Sequence, residues 1–221
     1  MSNFAAGGTR LILVRHGETE GNVSQVWHGS LDAPLTPRGE QQVAATAARL
    51  ARLMDDLPAH AFYVSPLPRA QSTAAAIAAA IGMTPQVEPD LREFDLGDWE
   101  GRTFRELREQ ENLWGRWEQD PGFAPPNGES PRSFGRRAAQ TLTRLADRHW
   151  GQTVLVVTHG GYIGNVLAAW LGKNGADWRA FDPPNCSISI LRCDGAMWQG
   201  ELVNDVSHLP MVARADYTPD Y

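Results

Sequence analysis

The 221 residues are 42% hydrophobic and 21% charged, with a formal net charge of −6. Those values exclude disorder, collagen-like repeats and coiled coils, and no apolar run reaches the ~20 residues that a membrane helix needs. The negative balance argues against non-specific binding to nucleic acid or anionic membranes, yet it leaves room for an anionic small substrate in a locally basic pocket.

Residues 1–9 read as a loose tail. Met1 to Arg10 has neither a basic n-region nor an apolar h-region, which predicts no secretory signal. Arg10 to Val14 is a short apolar run, predicting a buried strand that ends at Arg15-His16-Gly17. Thr36-Pro37 reads as an N-cap followed by proline at the first helical position, and Val43, Ala47, Leu50 and Met54 mark one face of the helix it opens. Ala61 to Val64 predicts a second strand. Ser65-Pro66 is expected to start an Ala-rich helix running to Gly82, with Gln86 to Glu88 as a third strand.

Residues 91–128 read as irregular, apart from a Trp-rich helix near 103–118. A helix from about 130 to 148 follows. Thr153 to Val157 is the clearest buried strand; it ends at Thr158-His159-Gly160-Gly161 and leads into a helix over 162–171. Ser187 to Leu191 and Met197 to Val203 predict two last strands joined by an Asp194-Gly195 turn. The alternation predicts one α/β domain over 1–221: a three-layer sandwich with a mostly parallel central sheet flanked by helices, plus a small helical or loop cap at about 91–130. Cys186 and Cys193 suit a reducing compartment and a cytoplasmic location. On one strand they would face opposite sides and not pair, so both are read as packing residues. Lys173 is the only lysine. Arginines therefore carry nearly all the positive charge, and they suit bidentate phosphate contacts.

Two apolar strands end alike, at Arg15-His16-Gly17 and at His159-Gly160-Gly161. In open α/β sheets ligands bind beyond the carboxyl ends of the strands, so both histidines are expected in one crevice. The glycines let the backbone approach a ligand and offer it N–H groups. Phosphate-ester cleavage needs a nucleophile, cationic groups around the phosphoryl oxygens and an acid for the leaving group. His16 can attack phosphorus through one ring nitrogen while a backbone carbonyl holds the other, with the choice of nitrogen open. Arg69, four residues after Ser65, can reach back over its helix N-terminus. His159 would be a second positive donor.

Arg15-His16-Gly17-Glu18-Thr19-Glu20-Gly21-Asn22 resembles the R-H-G-x-T-x-x-N signature of the histidine phosphatase superfamily, the phosphoglycerate-mutase-like group. Asp32-Ala33-Pro34-Leu35-Thr36, then Ser65 to Ala74 (SPLPRAQSTA), Leu91-Arg92-Glu93 with Gly97 to Gly101 (GDWEG), Gly128-Glu129-Ser130 and Thr158 to Gly161 resemble further family blocks in order. The likeness spans about 11 to 191 and leans to the phosphatase branch. It implies Arg15, His16, Arg69 and His159 as a phosphate pocket with His16 phosphorylated, Glu93 as proton donor and Asn22 as a further phosphate contact. It implies no cofactor and no metal.

Several readings stay open. Glu18, Asp95, Asp98 and Glu100 are other candidates for the acid, Asn22 can serve as a helix cap, and the two histidines can be zinc ligands. Thr19 and Thr158 are read as structural hydroxyls, Asn185 as either a site neighbour or a turn residue, and Trp99, Trp114 and Trp117 as the cap's core. The expected function is metal-independent hydrolysis of a phosphomonoester on a small phosphorylated metabolite. A phosphoglycerate mutase and a non-catalytic phosphate-binding module are the rivals. Neither nucleic acid nor membrane is expected as a partner, and a homodimer stays open.

Overall fold

The computed structural model describes residues 7–172, 178–195 and 197–211; the expectation for Lys173 and most of the N-terminal tail lie outside them. Thirteen regular elements are named among the described residues: β1 (Thr9–Arg15), α1 (Glu20–Ser24), α2 (Pro37–Asp56), β2 (Ala61–Val64), α3 (Pro68–Ile81), β3 (Gln86–Val87), α4 (Phe104–Glu109), α5 (Leu113–Gln119), α6 (Pro131–Arg148), β4 (Thr153–Thr158), α7 (Gly160–Leu171), β5 (Ile188–Cys193) and β6 (Trp198–Asp205). They form a six-stranded sheet in the order β3-β2-β4-β1-β5-β6. The β3, β2, β4 and β1 strands are mutually parallel, while β5 runs antiparallel to both β1 and β6.

Strand alternation sorts the core into two faces. Leu11, Leu13, Tyr63, Val154 and Val156 point to one side and pack with Phe134, Leu142 and Leu145 of α6 and Tyr162 and Val166 of α7. Ile12, Val14, Phe62, Val64, Leu155 and Val157 point to the other and pack with Leu50 of α2 and Ala70, Ala74 and Ile77 of α3. The cap's Leu107, Leu113, Trp114 and Trp117 belong to the first of these clusters. The cap therefore shares the main core instead of forming one of its own.

Local signals account for most boundaries. The Thr36 side chain accepts from Gly39 N–H and Ser130 closes a capping box with Ser133, so α2 and α6 start where the caps put them. Gly82 ends α3 in the left-handed conformation. Four expectations are corrected. Thr9 is fully buried in β1, not in a loose tail. The Trp-rich helix is two, α4 and α5, because Asn112 adopts φ 48° and breaks the run. Cys186 precedes β5 and is not on a strand with Cys193. Finally, α3 starts at Pro68 with Leu67 at its N-cap and no side-chain cap, so Ser65 is free for another use.

Candidate active site

The carboxyl ends of the adjacent strands β1 and β4 bring Arg15 and His16 to the lining of one cleft and set His159, fully buried, against the His16 ring. Arg69 in the first turn of α3, Asn22 of α1 and Glu93 line the same cleft. All six residues singled out in the sequence thus come together.

His16 is 3% exposed, and its Nδ1 lies 2.7 Å from the Gly17 carbonyl. That contact assigns the ring proton to Nδ1 and leaves Nε2 as the unprotonated nitrogen. Burial, then the charges of Arg69 and Arg15, lower its pKa well below the usual histidine value. The ring is consequently neutral, the form in which an imidazole is a nucleophile. The Gly17 turn is itself held: Gly17 N–H donates to Thr73 Oγ1 at 3.1 Å, and the Thr73 hydroxyl donates to Arg69 O at 2.9 Å. A Cβ on Gly17 would stand 2.7 Å from Val43 Cγ2, so only glycine fits there.

The His159 ring meets His16 edge to face with centroids 5.2 Å apart. Its Nε2 lies 2.6 Å from Ser65 Oγ, the use to which the uncapped Ser65 is put, and its Nδ1 has no hydrogen-bond partner. Burial, then Arg69 and His16, hold its pKa well down. Those causes favour the neutral ring of His159. It can give one Nδ1 proton while Ser65 donates to Nε2.

Arg15 is 7% exposed; its Nη1 donates to Pro183 O at 2.6 Å and its Nε is unpartnered. Arg69 donates from Nη1 to Leu31 O and from Nη2 to Gly29 O, at 2.8 and 2.7 Å. These carbonyls fix both guanidinium planes before any ligand arrives. Asn22 has a double role. Its Oδ1 accepts from Thr19 N–H in the capping box of α1 and from Asn185 Nδ2, which also donates to His16 O. Asn185 thus ties the two ends of the motif set together.

Glu93 accepts from Phe94 N–H and Gly161 N–H, both at 2.9 Å. Burial raises its pKa against the opposing pull of those bonds and of Arg69. A Cβ on Gly161 would stand 2.8 Å from Glu93 Oε1, and one on Gly160 would stand 2.9 Å from Arg15 Cζ. The paired glycines are needed for the close approach of α7. The other acids are engaged elsewhere: Glu18 binds Thr36 and Arg38, Asp98 binds Asn127, Asp95 caps Gly97, and Glu100 holds Ser30 and Leu31. Thr158 Oγ1 donates to Leu91 O at 2.7 Å, a structural role as expected.

An arginine not anticipated from the sequence holds the acid's loop. Arg137 of α6 donates to the carbonyls of Asp90, Arg92 and Glu93, at 2.8, 2.9 and 3.2 Å. Its Nε and Nη2 pair with both oxygens of Glu129, at 2.9 and 2.7 Å. Nothing in a lone helix-surface arginine signals this; the position of Glu129 in the GES block was the available hint. Replacing Arg137 by alanine leaves Glu129, whose side chain is 15% exposed, with the weaker Arg92 contact at 3.1 Å and leaves three carbonyls short of a donor. We expect a loss of about 2 kcal/mol of stability, read from the urea midpoint. Arg137→Lys should recover only part of it, since lysine lacks the planar fork.

Among the described residues no three His, Cys, Asp or Glu side chains are grouped to hold a metal ion, and no helix is long and apolar enough to cross a membrane.

Comparison with known proteins agrees with this geometry. A bifunctional protein of Mycobacterium tuberculosis is 38% identical over 204 residues, which are 91% of this chain but 55% of that protein. The chain thus spans about half the length of that relative. An adenosylcobalamin/alpha-ribazole phosphatase of Escherichia coli is 34% identical over 165 residues, covering 74% of this chain and 79% of its own. A probable phosphoglycerate mutase of Cronobacter sakazakii is 34% identical over 207 residues, 90% of this chain and 94% of its own. Among solved structures, a mycobacterial glucosyl-3-phosphoglycerate phosphatase superposes with a TM-score of 0.76 at 29% identity, over 90% of this chain and 99% of its own. Residues 11–206 match the family model of the histidine phosphatase superfamily, branch 1. By its motifs, its sheet and these relatives, the chain belongs to the histidine phosphatase superfamily.

Proposed function

We propose that the protein hydrolyses a phosphomonoester of a small metabolite through a phosphohistidine formed on His16, without a metal ion. One observation carries the reading: His16 is fixed by Gly17 O with Nε2 unprotonated, in a cleft that also holds two guanidinium groups and a buried carboxyl. In the forward step Nε2 attacks phosphorus as the ester P–O bond breaks. Arg15, Arg69 and the Nδ1–H of His159 receive the charge on the phosphoryl oxygens. Glu93 gives its proton to the departing alkoxide. In the second step ionised Glu93 takes a proton from water, the hydroxide attacks phosphorus, and the P–N bond breaks to return neutral His16 and inorganic phosphate.

The directions of the two pKa shifts set the pH profile. Raising Glu93 preserves its acid form to higher pH, so turnover falls as pH rises through its shifted value. Lowering His16 preserves the neutral nucleophile to lower pH, so turnover falls as pH drops through its shifted value. Turnover of an alkyl phosphate is therefore expected to fall on both the acid and the alkaline side. A profile that climbs steadily into alkaline solution would refute Glu93 as the acid.

The second reading is a phosphoglycerate mutase, favoured by the naming of the Cronobacter relative. A mutase must shield its phosphohistidine from water and hold a doubly phosphorylated intermediate. The interval from Glu93 to His159 contains no lysine and carries Glu106, Glu109, Glu111, Glu118 and Asp120. Of its arginines, Arg102 is paired with Glu111 at 2.7 Å and Arg137 with Glu129. The deciding assay supplies 3-phosphoglycerate with catalytic 2,3-bisphosphoglycerate and follows inorganic phosphate and 2-phosphoglycerate together. Hydrolysis predicts phosphate with little isomer; rapid isomer with little phosphate would establish the mutase.

A further inference from the structure

Half of the cleft is not used by the phosphoryl chemistry. Val26, Trp27, His28 and Phe104 line it beside His16 and Glu93. This wall is built before any ligand binds. Trp27 N–H donates to Arg102 O, Gly101 N–H to Trp27 O and Phe104 N–H to Gln25 O, at 2.9, 2.9 and 3.0 Å, lacing the two segments that carry the aromatic rings. The Trp27 and Phe104 rings meet edge to face with centroids 5.3 Å apart, and Trp27 is backed by Phe94 and Trp117 at 5.9 and 6.2 Å. Behind Trp27 the apolar surface continues into a second crevice lined by Phe94, Trp117 and Phe134. An aromatic face held this way loses little freedom when a flat group settles on it.

The charges of the cleft point the same way. Among the described lining residues Arg15 and Arg69 are the arginines, and Glu93 and Asp182 are the acids. A phosphoryl dianion at Nε2 of His16 engages both arginines. Asp182, 4.0 Å from Arg15, adds a negative group on that side. Among the described lining residues, a carboxylate or second phosphate on the leaving group would lie against Trp27, Phe104 and Val26, losing its water without gaining a cation from them.

We propose, resting on the phosphatase reading above, that the released alcohol is uncharged and lays a flat aryl or heteroaryl face on Trp27 and Phe104. The same wall rejects esters that carry a second anionic group.

The test compares phenyl phosphate with 4-carboxyphenyl phosphate at pH 7.5. The carboxylated phenol is no poorer a leaving group, so chemistry alone would not slow it. We expect kcat/KM for the carboxylated ester to be at least about tenfold lower, mostly through KM, on the scale of discrimination that a pocket wall can supply. Phe104→Arg should narrow or reverse that ratio, and Trp27→Ala should raise KM for phenyl phosphate about tenfold. If neither ester is turned over, the phosphatase reading itself fails. If both are turned over with the carboxylated ester equal or better, hydrolysis stands and this assignment of the alcohol is wrong. The wild-type pair decides the matter even if a wall variant does not fold.

Discussion

Replacing His16 by alanine is expected to lower kcat by about 10⁴-fold or more, because it deletes the atom that forms the covalent intermediate and not merely a contact. The fold should survive, since Thr73 holds the turn through the Gly17 backbone and Asn185 holds the His16 carbonyl, and neither bond uses the imidazole. Far-ultraviolet circular dichroism and the urea midpoint separate a folded, inactive variant from an unfolded one. In the unmodified protein, quenching during turnover should trap phosphate in a bond that acid breaks and alkali spares, as befits a P–N linkage. Label that survives acid, or that maps to serine or aspartate, would remove the phosphohistidine from the mechanism.

The second large effect is expected at Glu93. Glutamine preserves the shape and can still accept from Phe94 N–H and Gly161 N–H, but it has no acidic proton to give. For an alkyl phosphate, whose alkoxide leaves only when protonated, kcat should fall by about 10²–10⁴-fold. For 4-nitrophenyl phosphate, whose phenolate leaves unaided, the loss of the first step should be small. Equal losses for both esters in the rate of the first step, read from the pre-steady-state burst, would transfer the acid's role to another group; loss of the second step, where Glu93 is the base, is common to both. The alkaline fall in the alkyl-phosphate profile should disappear in this variant, because it reports ionisation of the Glu93 carboxyl.

How far the sequence could be read depends on whether the signal was local. The buried strands β1, β2 and β4 are uninterrupted apolar runs, and Thr36, Ser130 and Gly82 are side-chain or backbone signals that act within one turn, so these elements were legible. The six candidate residues could be picked out because strand ends and the family's motif blocks mark them. What could not be read are the partners supplied from far along the chain. Ser65 looked like a helix cap, yet its hydroxyl is 2.6 Å from His159, 94 residues away. Arg137 carries no motif of its own, yet its fork closes on Glu129 and three carbonyls of the acid's loop. Composition likewise says nothing about the burial and the neighbouring arginines that lower the His159 pKa. The break between α4 and α5 rests on a left-handed Asn112, which helical periodicity does not detect.

The strand order has a consequence for biosynthesis. β1 is made first, yet it sits between β4 and β5, with Leu11 opposite Val154 on one side and Leu191 on the other. At the usual pace of roughly 5–20 residues per second, a ribosome needs on the order of ten seconds after Arg15 emerges before either neighbour exists. During that time the apolar edge of β1 has no native strand to pair with, and His16 has no site to belong to. Slow, non-local pairing of this kind exposes nascent chains to self-association. Yields of folded protein should therefore rise when synthesis is slowed by cooling or when holding chaperones are abundant, and any fragment ending before β4 should accumulate in the insoluble fraction.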